Sequence, residues 1–276
     1  MIAVEAAEMR AGGASAQSMP GEVLSPSQAS TFLSCSAKWS FRYGLGLPDP
    51  AGGAAVRGKA VHKLIEYAMR AKIAGIALEA GALSDAWDAA WDQAAEGAEF
   101  AASDDVEDLK ASGARLAGKY IAEALPEIEP AAVEVPFSGV IAGVAVRGIA
   151  DIVTTNGTVI DVKTATRKPS GLAADHAFQV STYVELLPGA SGQARIDTLV
   201  STKDPQLVQL EHTPGEAGKR LIERLYRIVA KGSPAGFFCR TVTPRRAAGG
   251  IARSRMPASG NSGAKSSERG CTAIRC

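Results

Sequence analysis

Apolar positions recur along this chain with two periods, and the change between them divides it. Up to about residue 125 they fall three and four apart, as on one face of a helix; from Ala132 they alternate, as in strands. Near the start, Ser25 can cap a helix whose first position is Pro26 and whose Gln28 closes a capping box, with Ala29, Phe32 and Leu33 turned inward. Trp39, Phe41 and Tyr43 follow as core aromatics. Val61, Leu64, Ile65, Ala68 and Met69 predict a second helix, with Gly58, His62 and Glu66 four apart on a neighbouring stripe. One long helical region is expected over 82–125, where Trp87 and Trp91 stand one turn apart as packing residues.

Strands are predicted over 133–140, 144–155 and 158–164, then an amphipathic helix over 173–187, strands over 195–202 and 207–212, and a last helix over 214–231. Around Asp151 apolar residues occupy both faces, Ile149 and Val153 beside it and Ala150 and Ile152 opposite, which suits a central strand covered on both sides. The order α, β-β-β, α, β-β, α indicates an α/β fold, a central mixed sheet flanked by helices.

The chemistry concentrates on one hairpin. Asn156-Gly157 is a strong turn signal between the β-branched runs that carry Asp151 and Asp161. A two-residue loop at Asn156-Gly157 would set Asp151 against Val162 and put the acids on opposite faces. A three-residue loop, Thr155-Asn156-Gly157 with the glycine left-handed, sets Asp151 opposite Asp161 instead, and this register is expected. Like charges facing each other across a strand pair destabilise it unless a cation sits between them. Lys163 projects from the same face as Asp161. Two carboxylates and an ammonium beside a divalent ion suit hydrolysis of a phosphodiester. Taken alone, Asp161-Val162-Lys163 is a short motif that recurs by chance, and its ordinary reading is a pair of solvated acids and a surface lysine.

Composition narrows the class. The 276 residues are 46% hydrophobic, ample for the core of one main domain. Residues 240–276 hold eight of the 30 basic residues and one of the 29 acidic ones, so the remaining 22 basic and 28 acidic residues make the rest mildly acidic. Three segments are expected: 1–23 disordered, one domain over 24–239, and a basic low-complexity tail over 240–276 that is disordered when isolated. The most hydrophobic stretch, 133–155, is interrupted by Glu134 and Arg147, and the first twenty residues lack the pattern of a secretory signal. A soluble, cytoplasmic protein without membrane partners is expected. Cys35, Cys239, Cys271 and Cys276 are too few and too scattered for a disulfide scaffold.

Gly58-Lys59-Ala60-Val61-His62, then Gly148-Ile149-Ala150-Asp151, then Asp161-Val162-Lys163-Thr164, then Gln179-Val180-Ser181-Thr182-Tyr183 occur in this order and in these elements. With Leu24-Ser25-Pro26-Ser27 ahead of Cys35, the set resembles the PD-(D/E)XK nuclease superfamily, and within it the RecB-like and Cas4-like exonucleases. Each motif is weak alone; together they span about 24–239. The resemblance implies a restriction-endonuclease-like core. It implies Asp151 and Asp161 as metal ligands, with His62 from the helix and the Val162 carbonyl completing the shell for Mg2+ or Mn2+. It implies that Lys163 positions the attacking water, and that Gln179 and Tyr183, one turn apart, orient Lys163 or hold the DNA backbone. Read singly, His62 is more often a packed or surface histidine and Tyr183 a core residue. Glu66 and Glu134 are auxiliary candidates whose ordinary reading is a solvated charge.

Many relatives also hold an iron-sulfur cluster. Cys35 and Cys239 stand where two of its ligands would be, but Cys271 and Cys276 lie far down the tail, and closing such an excursion costs entropy. Three incidental thiols and a buried Cys35 are the alternative. The expected activity is metal-dependent DNA hydrolysis, chiefly exonucleolytic, in recombination, repair or phage DNA processing. Water would attack phosphorus in line and leave a 5′-phosphate, with single- or double-stranded ends as substrate and a recombination or helicase protein as partner. The rivals are a catalytically silent nucleic-acid-binding subunit of the same fold and a structure-dependent endonuclease.

Overall fold

The structure, a computed structural model, describes residues 23–233. Chain order is β1 (Val23–Leu24), α1 (Pro26–Ser34), α2 (Ser36–Trp39), α3 (Gly53–Ile73), α4 (Ala80–Ala95), α5 (Val106–Glu123), β2 (Pro130–Ile141), β3 (Val144–Thr154), β4 (Val159–Ala165), α6 (Ala174–Leu186), β5 (Ala194–Val200), β6 (Gln206–His212) and α7 (Gly215–Gly232). One mixed sheet holds all six strands in the order β1-β3-β4-β5-β6, with β2 paired to β3. β4 and β5 run parallel across α6, while β3 is antiparallel to both β2 and β4. This is the α/β architecture, a mixed sheet flanked by helices, that the element order indicates, and it matches the restriction-endonuclease-like core that the resemblance implies.

Local signals explain most of the elements. Ser25 and Gln28 form the expected capping box, Gln28 N–H donating to Ser25 Oγ at 3.1 Å and Ser25 N–H to Gln28 Oε1 at 3.0 Å. β2 and β3 are joined by Ala142 and Gly143, both at positive φ, as a tight hairpin turn between twisted strands requires.

Two apolar layers clasp the sheet. Val56, Val61, Leu64 and Ile65 of α3, Trp87 and Trp91 of α4 and Leu116 and Tyr120 of α5 pack with Ile152, Ile160, Val162 and Leu199. Phe178, Val180 and Tyr183 of α6 and Ile222, Tyr226 and Val229 of α7 pack with Leu24, Val159, Ala194 and Ile196. β4 shows the alternation within one strand, Val159 in the second layer and Ile160 and Val162 in the first. Trp87 and Trp91 are both buried, with ring centroids 6.1 Å apart.

The structure corrects several expectations. The helical region over 82–125 is two helices. Gly97 at φ 66 ends the first, and Asp105 caps the second by accepting from Asp108 N–H at 3.0 Å. Of the three early aromatics Trp39 is buried, but Phe41 is 52% exposed, because the chain there runs on a π-helical turn at the surface. Val23 belongs to β1, paired with Ala145, rather than to the terminal segment. The face of β3 that carries Asp151 is only partly covered: Ile149 is 52% exposed while Ala150 and Ile152 are buried. That opening lies beside the candidate chemistry. Among the described residues no helix is long and apolar enough to cross a membrane.

Candidate active site

The hairpin register brings the two acids together. Thr154 N–H donates to Thr158 O at 3.0 Å and Gly157 N–H to Thr154 O at 2.9 Å, closing the three-residue loop Thr155-Asn156-Gly157 with Gly157 at φ 82. The ladder then pairs Val153 with Val159 and Ile152 with Ile160, a register that, carried one position further, would set Asp151 opposite Asp161. There the strands part. Asp151 Oδ2 accepts Val162 N–H at 2.8 Å, so a carboxylate takes an amide that would otherwise belong to the β3–β4 ladder.

That parting lets the two layers meet. Asp161 and Lys163 share a face of β4 with Val159, toward α6, whereas His62 arrives on α3 from the opposite layer. Helix α3 crosses the end of β4 closely at Gly58, where an added Cβ would stand 3.1 Å from Thr164 Oγ1. One turn further on, His62 Nδ1 lies 3.5 Å from Asp151 Oδ2. Lys163 Nζ is 2.7 Å from Asp161 Oδ2, close enough for an ion pair, yet neither oxygen of this almost wholly buried carboxylate has a well-directed hydrogen bond.

The electrostatics follow from this crowding. Burial, aided by the nearby Lys163 ammonium, holds the His62 imidazole below its ordinary pKa, so it is neutral at pH 7 and keeps a nitrogen lone pair free to ligate. Burial pushes the Asp151 carboxyl up against the opposing pull of the Val162 amide and Lys163. Burial raises Asp161 as well, with Asp151 adding to the rise and Lys163 resisting it. Glu134, at φ 51 and lining a recess with His62, Glu66 and Asp151, is likewise raised by burial and then by Asp151. Glu66 is committed elsewhere, bonded by Lys63 at 2.7 Å and by Arg70 at 2.8 and 3.0 Å. The surplus is therefore negative charge held out of water, which an added cation would relieve.

Gln179 and Tyr183 also lie together, the Gln179 amide donating to the Tyr183 hydroxyl. Tyr183 is buried edge-on to Phe137, ring centroids 5.2 Å apart, and burial followed by Asp161 keeps its phenol protonated. Of the four cysteines Cys35 is described, and its sulfur accepts Lys38 N–H at 3.4 Å; Cys239, Cys271 and Cys276 lie outside the described residues.

Among the described residues no three His, Cys, Asp or Glu side chains meet as a ready-made ion site. The donors nevertheless fit a hard divalent cation: a neutral imidazole, the remaining oxygen of Asp151, and the two buried Asp161 oxygens that lack hydrogen bonds. A stability test follows. In EDTA at pH 8, Asp161→Asn is expected to melt above wild type by roughly 1 kcal/mol, or about 2–4 °C. The wild-type carboxyl, raised in the folded state, takes up its proton before the unfolded chain does. Its penalty is thus fully present above the raised value, and the gap narrows as pH falls toward the ordinary carboxylate value near 3.8. With Mn2+ at about 100 times its Kd the order reverses, because wild type gains about 2.7 kcal/mol and the variant little. A variant less stable than wild type under both conditions defeats this account of Asp161.

A network with little signature in the sequence lies beneath β4. Asp197, paired in register with Val162, accepts Tyr120 Oη–H at 2.9 Å and the Arg195 guanidinium at 2.7 and 2.8 Å; Asp197 and Tyr120 are both fully buried. A charged pair spaced two apart in a mostly apolar strand, Arg195-Ile196-Asp197, is its trace in the sequence.

The sequence model of the PD-(D/E)XK nuclease superfamily matches residues 23–248, and the chain belongs to that superfamily. A crystal structure of a candidate exonuclease from Eubacterium rectale is similar in fold, with a TM-score of 0.56 and 14% identity over 77% of this chain and 82% of that one. SSO0001 superposes with a TM-score of 0.33 and 14% identity over 61% of this chain and 83% of that one, too loosely to bear on the argument. No curated protein matches the chain by sequence.

Proposed function

We propose that this nuclease-superfamily chain is a divalent-metal-dependent deoxyribonuclease of the RecB-like and Cas4-like kind, hydrolysing DNA from its ends. The observation that carries the reading is the meeting of Asp151, Asp161 and Lys163 with a neutral His62 where β3 and β4 part. Asp151, Asp161, His62 and the Val162 carbonyl would hold the ion. When bound, Mg2+ or Mn2+ supplies charge neutralisation to the phosphate oxygens and acidifies adjacent water. Lys163, its side chain 24% exposed, would donate hydrogen bonds to the attacking water and to the charge developing on the phosphoryl group. Tyr183, buried and bonded by Gln179, is placed to act through its neighbours, and the pair would orient Lys163 rather than touch substrate through the phenol.

Linear end-labelled DNA and covalently closed circular DNA, each with Mg2+, Mn2+ or EDTA, test this reading. Linear DNA is expected to shorten from its ends with either metal, to survive in EDTA, and circles to stay closed. Opened circles would assign an endonuclease instead. DNA bound without cleavage under every metal would assign a silent binding subunit.

A further inference from the structure

Helix α6 carries a third residue on the stripe that holds Gln179 and Tyr183. His176 precedes Gln179 by three positions and Tyr183 by seven, a spacing that places all three on one helical face. Half-buried, it lines a cavity of about 120 Å³ with Lys163, Thr164 and Thr198. Thr198 is the register partner of Lys163, so the two side chains stand next to each other on the α6 face of the sheet.

The lining of this cavity is largely apolar, with Pro169, Leu172, Ile196 and Leu210 among its walls. Its polar groups are an ammonium, an imidazole and two hydroxyls, and no carboxylate. The larger groove of about 480 Å³ between α3 and α4 differs, since Glu66, Glu96 and Glu134 line it along with His62, Lys59 and Lys63. Thr164 borders both. The candidate acids thus lie between a groove of mixed charge and a small, largely apolar pocket whose polar groups can all donate hydrogen bonds. The exposed Arg167 and Lys168 lead from β4 to the rim of that pocket at Pro169.

We infer that this pocket is the seat of a phosphate next to the scissile one, bound by His176 and Thr198, so that a nucleic-acid strand crosses the site from the α3–α4 groove toward α6. The inference rests on the nuclease reading and extends it to the path of the substrate. An imidazole donates one N–H in either neutral tautomer, and a hydrogen bond to an anionic oxygen is about twice as strong as one between neutral groups. The same donors would accept an internal diester or a terminal 5′-phosphate.

A double-mutant cycle between His176 and individual phosphates tests it. Wild type, His176→Ala and His176→Gln are compared on oligonucleotides carrying one neutral methylphosphonate at successive linkages, each with a 5′-phosphate or a 5′-hydroxyl. The cycle is read as kcat/KM for cleavage in Mn2+ and as affinity by fluorescence anisotropy in EDTA. In wild type, neutralising one linkage adjacent to the cleaved bond is expected to lower both readouts roughly tenfold. In His176→Ala that loss is absent because the interaction is already gone, and His176→Gln, which keeps a donor, retains part of it. If the coupling appears only on removing the 5′-phosphate, the phosphate seated is the terminal one. Losses that add independently at every linkage and at the 5′ end overturn the seat, even if the enzyme cleaves normally. Coupling that persists in affinity while no variant cleaves would overturn the nuclease reading and leave the seat standing.

Discussion

Lys163→Ala is expected to lower the cleavage rate about a thousandfold, and Asp161→Ala to do at least as much. On the proposed reading both groups serve the same reacting phosphate, so the double variant should be scarcely slower than either single one. Their effects on folding diverge. Removing the Lys163 ammonium leaves the buried Asp161 carboxylate without the cation 2.7 Å away, a loss of about 1–3 kcal/mol in the metal-free protein. Removing the Asp161 carboxylate discards a buried charge whose oxygens lack directed hydrogen bonds, and offsets part of the cavity it leaves. Single-turnover cleavage of end-labelled DNA, with thermal melts in EDTA, separates the two consequences. Lys163→Ala protein that cleaves within tenfold of wild type would remove the lysine from the chemistry.

The largest effect on stability belongs to a residue away from the reacting atoms. Asp197→Ala leaves the fully buried Tyr120 hydroxyl and the Arg195 guanidinium without their shared acceptor, and loss of such a partner costs about 3–5 kcal/mol. For a chain of this length that corresponds to roughly 8–15 °C in Tm. Arg195 can recover some solvation, since its side chain is 22% exposed; Tyr120 cannot. Tyr120→Phe, which removes one donor and leaves the Arg195 pair, should cost only about 1 kcal/mol. Calorimetric melting of the three proteins measures the difference. A Tm for Asp197→Ala within about 2 °C of wild type, by the scale just used, would mean that the network contributes little. Because Asp197 neighbours Val162 across the β4–β5 ladder, residual activity of folded Asp197→Ala protein reports whether the network also fixes the strand that carries Asp161 and Lys163.

Features set by neighbours in the chain are legible in the sequence. The Ser25–Gln28 capping box, the Asn156-Gly157 hairpin with its three-residue register, and the shared stripe of Gln179 and Tyr183 all depend on dihedral preferences and on the periods 2 and 3.6, which act over a few residues. The break at Gly97 and Asp105 is written in equally local signals, a left-handed glycine and a cap, but the apolar spacing that runs through it masks them. Glu134 stands out in the sequence as an acid within a strand, yet its positive φ and its place between the pairs Val133–Ile152 and Val135–Ala150 do not. Those depend on how a long twisted ribbon bends as it passes from one apolar layer to the other.

By itself, then, the amino-acid order determined most of the elements, their succession, the superfamily and the hairpin register that carries Asp151 and Asp161, because short-range sterics and side-chain period control these. Only the tertiary structure decided that β3 and β4 separate beyond Ile152 and Ile160, that Asp151 takes the Val162 amide, that His62 passes from the α3 layer to meet it, and that Asp197 anchors Arg195 and Tyr120 beneath. The contacts of Asp151 with Val162, of Tyr120 with Asp197 and of His62 with Asp151 join residues 11, 77 and 89 positions apart. They form where packed layers and the loss of water make one arrangement of buried charge cheaper than its alternatives, and no local preference encodes that balance.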